Sequence, residues 1–126
     1  MPDEIFEKLV QEGVAAIPKK YLDHLENVAI VIGDDPTPHQ RRKLRLRPHM
    51  SLFGLYEGIP QIKRMNYSGV IPDKITIFKN PMLRRFRTLE GIRHRVKMTV
   101  WHEIAHHFGL NEREVREAER KRPRNL

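Results

Sequence analysis

The sequence predicts one small α+β domain. Three short runs rich in β-branched residues alternate with segments whose apolar residues recur at helical spacing. One such segment, residues 88–108, carries apolar residues around much of its circumference, as a mostly buried helix does. At 126 residues, the length fits a single domain with a modest core, spanning 1–126.

The elements follow in chain order. Residues 2–16 place Ile5, Phe6, Leu9, Val10 and Val14 on one helical face, and Pro2 and Asp3 suit a helix start. Pro18 breaks that helix, and a short one is expected over 19–25. Residues 27–33 form an apolar run that reads as a buried strand. After the turn signal Asp34-Asp35-Pro36, residues 39–50 carry Arg41, Arg42, Lys43, Arg45 and Arg47, and read as a basic surface loop.

A second strand is expected over 51–56 and a third over 74–79. Asn80-Pro81 fits an N-cap with proline at the first helical position, so a helix is expected over 81–86. Thr88 caps the long helix, in which Leu89, Ile92, Val96, Val100 and Ile104 form one stripe. Met98, Trp101, Ala105 and Phe108 form another beside it. Gly109 is a natural left-handed stop. Asn111 and Glu114 then stand at N-cap and N3 spacing for a last helix over 112–120, and 121–126 read as a frayed tail.

Composition narrows the function classes. Hydrophobic residues make up 39% and charged residues 32%, which is a globular balance. Without cysteine, disulfides and thiolate sites are excluded, and a metal must sit on His, Asp or Glu. The first residues carry acids where a signal peptide carries bases, and the longest apolar run, residues 28–32, is too short to span a bilayer. A soluble, cytoplasmic protein is expected, with no membrane partner. The net charge of +8 reads first as an arginine-rich solvated surface, and second as a surface for a polyanion.

The chemistry is carried by His102-Glu103-Ile104-Ala105-His106. Residues four apart on a helix share a face, so both imidazoles can meet one Zn²⁺ at about 2.0–2.1 Å. Glu103, beside the first ligand, is placed to take a proton from a zinc-activated water as it attacks a carbonyl. With 7 His in 126 residues, an accidental match is roughly a 3% event, so the helical context has to raise the odds. His107 lies about a hundred degrees around the helix and reads as a residue supporting the site, or as a surface residue. His24, His39, His49 and His94 show no metal spacing.

The longer stretch His102–Glu112 matches the pattern H-E-x-x-H-x-x-G-x-x-[His/Asp/Glu] of metzincin-like enzymes. With residues 52–60 (LFGLYEGIP), 72–81 (PDKITIFKNP) and 96–109, it resembles the small bacterial minimal-zincin metallopeptidase family. The resemblance covers most of residues 51–117. It implies a zincin-like fold with a short three- to four-stranded sheet packed on the motif helix. It also implies a zinc metallopeptidase, with His102, His106 and a downstream acid as metal ligands. Glu112 is the expected third ligand, and Glu114 and Glu117 are the rivals. No methionine follows Met98, so the Met-turn of true metzincins is missing, and the basic stretch 39–50 also departs from the family. Tyr67 is a candidate oxyanion donor, with a packed loop tyrosine as the alternative.

Two function classes follow. One is a zinc hydrolase acting on a peptide or protein. The other is a nucleic-acid or polyanion-binding module with a structural zinc site, resting on residues 41–47 and on Arg84, Arg85 and Arg87. Against the second, aromatics do not interleave with the bases.

Overall fold

The structure, a computed structural model, describes residues 1–25, 27–44, 52–58, 73–109, 113 and 117. The first apolar stripe folds as α1, Asp3–Ala15, burying Phe6, Leu9, Val10 and Gly13. A single turn, α2, follows at Lys19–Leu22. Strand β1 is Val28–Gly33, helix α3 is Pro38–Lys43, and strand β2 is Gly54–Glu57. Strand β3, Asp73–Phe78, runs directly into α4, Lys79–Arg85. The long helix α5 is Leu89–His107.

The strands form one mixed sheet in the order β1-β3-β2. β1 runs parallel to β3, with Ile30 opposite Ile75, and β2 runs antiparallel to it, with Tyr56 opposite Ile75. The central position falls to β3, which buries Ile75, Thr76, Ile77 and Phe78 in succession. By composition the run 28–33 reads as the buried strand. It is instead an outer strand, half-buried, with Val31 exposed, because it has a neighbour within the described sheet on one side only.

Helix α5 packs against α1 and against β2 and β3. Its Ile92, Val96, Val100, Trp101 and Ile104 join Phe6, Leu9 and Val10 of α1, Ile75 and Ile77 of β3 and Met82 of α4 in one core. Each fully buried side chain of this size contributes about 1.5–3 kcal/mol. Tyr21 of α2 closes the far end, edge-on to Trp101 at 5.1 Å between ring centroids. Thr88 caps α5 by accepting the Gly91 N–H at 3.0 Å. Leu89, assigned to the apolar stripe by spacing, lies exposed in the first turn.

Several boundaries differ from the sequence reading: the helix expected over 19–25 ends at Leu22, the strand expected over 51–56 is Gly54–Glu57, and two further differences have a local cause. The basic segment begins as a helix, α3, with Pro38 at its start. Its cause is a capping box: Thr37 Oγ1 accepts the Gln40 N–H at 3.0 Å, and Gln40 Oε1 accepts the Thr37 N–H at 2.9 Å. Residues 45–50 of that segment lie outside the described residues, as does the tail 121–126. Helix α4 starts at Lys79, before the expected Asn80 cap. The Asn80 side chain is taken by Asp35, to which its Nδ2 donates at 2.8 Å. Pro81 therefore sits within the first turn, where the missing N–H has no helical acceptor to lose. Of the last predicted helix, Arg113 and Glu117 are described, and both are helical.

Candidate metal centre

The second half of α5 carries the motif. His102 and His106 stand one turn apart, with ring centroids 4.7 Å apart and planes at 75°. Two imidazoles on one tetrahedral zinc would place their centroids about 5 Å apart, given Zn–N bonds of about 2.0–2.1 Å. The observed pair therefore fits a shared metal. Among the described residues no group of three His, Asp or Glu converges on one point. The expected third ligand, Glu112, lies outside the described residues, as do the rival Glu114 and the oxyanion candidate Tyr67.

Glu103, next to His102 on α5, is buried, only 8% exposed. It and His102 line two adjoining cavities, of about 300 Å³ and about 520 Å³. The larger also reaches His106 and Tyr56, and the smaller reaches Arg95 and Met98. Both are walled by Leu52 and Gly54, so the cleft runs between the start of β2 and the motif helix.

Gly54 sets how closely those two elements approach. A Cβ on Gly54 would stand 2.4 Å from Thr99 Cγ2 and 3.1 Å from Glu103 Cγ. Only glycine lets β2 cross α5 at that height without displacing them.

Beside the cleft is a buried polar network that the spacing of the motif alone does not reveal. Asp73, at the start of β3, accepts the Tyr56 hydroxyl at 2.7 Å. The same oxygen lies 3.0 Å from His107 Nδ1. His107 is thus held against Asp73 with its side chain largely covered, so of its two sequence readings the surface one does not hold. Asp73 and Tyr56 were missed because their pairing depends on the β2–β3 register. Arg95 was missed because it stands two turns before the motif.

A model of the zincin-like metallopeptidase family matches residues 25–122. The chain belongs to the zincin-like metallopeptidase family. The matched span takes in the whole sheet, the motif helix and both cavities. Among solved structures, a conserved hypothetical protein from Thermo thermophilus is similar, with a TM-score of 0.58 at 19% identity. The match covers 95% of this chain and 100% of that one, and carries the likeness of fold alone. No curated protein matches the chain. Among the described residues of this zincin-like chain, no helix is long and apolar enough to cross a membrane.

Proposed function

We propose that this protein is a zinc-dependent peptidase, with zinc held by His102, His106 and Glu112 and with Glu103 as general base. The observation that carries the reading is a buried carboxylate, Glu103, next to two imidazoles 4.7 Å apart, all three on the wall of one cleft.

Zinc, when bound, supplies Lewis-acid polarisation of the scissile carbonyl and lowers the pKa of water. The protein's own residues do the rest. Glu103 takes the proton of the attacking water and is placed to return it to the leaving amine. Gly54 lets β2 lie close against Thr99 and Glu103, so the strand crowds the side of the carboxylate. Leu52, Leu55 and Tyr56 wall the larger cavity and give it an apolar side for substrate side chains. β2 is the outer strand beside the cleft among the described residues, and an extended peptide can pair along it as an added strand.

The polyanion-binding alternative gains less support. Arg84, one of its residues, is engaged by Asp35 at 2.6 Å. Arg45 and Arg47 lie outside the described residues.

The test is metal content with cleavage of a broad peptide library. One zinc per chain is expected, lost in His102→Ala and His106→Ala. Glu103→Gln should keep zinc and lose hydrolysis. Zinc retained in both histidine variants overturns the centre. Hydrolysis that survives Glu103→Gln overturns the base.

A further inference from the structure

Arg95 stands seven residues before His102 on α5, so their Cα atoms are about 10.5 Å apart along the helix axis at about 1.5 Å per residue. Its guanidinium carbon lies 5.4 Å from the Phe53 ring centre and 5.3 Å from that of Phe86. The two rings are 5.8 Å apart, so the flat cation is steadied by both. It lines the cavity of about 300 Å³ whose wall also includes His102 and Glu103. Its Nε is buried, and among the described residues it has no hydrogen-bond partner.

Stacking on aromatic rings fixes a guanidinium in place but does not satisfy its N–H donors. A buried donor left without an acceptor is destabilising, and an apolar side chain would fill the slot between Phe53 and Phe86 without that penalty. Two rings thus hold the Arg95 guanidinium, and the residue forms part of the cavity wall. The ligand that fits a guanidinium is a planar anion, and in a peptide that anion is a carboxylate.

The axial spacing of the two positions gives the scale of the separation between carboxylate and scissile bond. An extended chain advances about 3.3–3.6 Å per residue, so about 10 Å corresponds to about three residues. We infer that Arg95 is the specificity-determining residue of the cleft, selecting peptides with a carboxylate within about three residues of the scissile bond. The carboxylate is a free C-terminus or an Asp or Glu side chain. The inference rests on the zinc-peptidase reading of the same cleft.

The experiment uses three fluorescent peptides of one sequence: a free C-terminal acid, its C-terminal amide, and the amide with one Gln replaced by Glu. Binding is read by anisotropy on zinc-loaded protein in the Glu103→Gln background, where the peptides are not consumed. At least one acidic probe should bind roughly tenfold or more tightly than the neutral amide, a typical gain for a charge-assisted pair. Adding Arg95→Gln should erase the difference, and Arg95→Lys should recover part of it. A preference for the free acid alone marks a C-terminal subsite, and one for the glutamate alone marks a side-chain subsite.

Equal binding of acidic and neutral probes, a preference that survives Arg95→Gln, or no binding of any probe overturns the inference. Zinc content and circular dichroism of each variant separate these outcomes from misfolding. Cleavage of the probes by protein carrying Glu103 is measured alongside. Cleavage without a carboxylate preference sinks the subsite and keeps the peptidase. An Arg95-dependent preference without cleavage of any peptide does the reverse.

Discussion

His107 Nδ1 lies 3.0 Å from Asp73 Oδ2, joining the last turn of the motif helix to the first residue of the central strand. The Tyr56 hydroxyl donates to the same oxygen at 2.7 Å, so one buried carboxylate ties together β2, β3 and α5. Two of these elements, β2 and α5, wall the cleft, and β3 lies next to β2 in the sheet. Tyr56 lines the larger cavity directly, and His107 follows the predicted ligand His106.

Asp73→Ala should therefore lower stability by about 1–3 kcal/mol, as loss of a buried acceptor does, and Tyr56→Phe by about 1 kcal/mol. Because the two residues share one hydrogen bond, the double variant should lose less than the two losses added together. Urea denaturation of the four proteins measures this. Strictly additive losses would show that the Tyr56–Asp73 bond contributes nothing of its own.

Gly54 gives a prediction that links packing to chemistry. Gly54→Ala places a methyl group 2.4 Å from Thr99 Cγ2 and close to Glu103. The strand or the helix must shift, and overpacking of this kind costs about 1–3 kcal/mol. Hydrolysis should fall further than the stability loss explains, because Glu103 moves with the contact. Combining it with Thr99→Ser removes Cγ2 and should recover part of the melting temperature. If Thr99→Ser gives no recovery, the clash with Thr99 is not the cause.

Much of this was legible in the sequence because it is local. The spacing of His102 and His106, the Thr88 cap and the glycine stop at Gly109 each depend on a few consecutive residues. The rank of the strands was not legible. Residues 28–33 look more buried than 73–78 by composition, yet the chain folds with β3 in the centre, and centrality is set by pairing. The same holds for the Asp73 network and for Arg95, whose partners Phe53 and Phe86 come from distant parts of the chain. The helix α3 is a different case. The Thr37–Gln40 capping box was written in adjacent residues, and the charge of the segment obscured it.

Acid should loosen the contact between the turn after β1 and helix α4. The Asn80 side-chain hydrogen bond, and then Arg84, hold the Asp35 carboxyl below its ordinary value. A depressed folded-state pKa contributes stability above the unfolded value, about 3.9 for Asp, and loses it as pH falls through the folded value. Asp35→Asn should thus melt below the parent at neutral pH, by a small margin since the site is exposed. That margin should close as pH drops below about 4. Melting temperatures of both proteins between neutral and acid pH test it, and a margin that widens toward acid contradicts it.

The last prediction concerns the third ligand. Two histidines leave a zinc site incomplete, since a catalytic site holds three protein ligands and keeps a fourth position open. Gly109 has φ +79, the left-handed conformation that lets the chain turn back after α5. Glu112 follows three residues later, at the spacing of metzincin-like sites. The rival Glu117 forms an exposed i,i+4 pair with Arg113 at 3.5 Å, a weak contact that a metal could displace. An acid at position 112 is also favoured by the start of the next helix without any metal, so the assignment needs a direct measurement. Residues that only support a ligand typically change metal affinity by about 10–100-fold. Glu112→Ala should exceed that range in competition titrations against a zinc chelator. Glu114→Ala and Glu117→Ala should stay near the parent. Gly109→Ala should weaken binding less than Glu112→Ala, by straining the positive-φ residue that ends α5. If Glu112→Ala binds zinc as tightly as the parent while Glu117→Ala does not, the third ligand comes from the following helix, as it does in thermolysin-like enzymes.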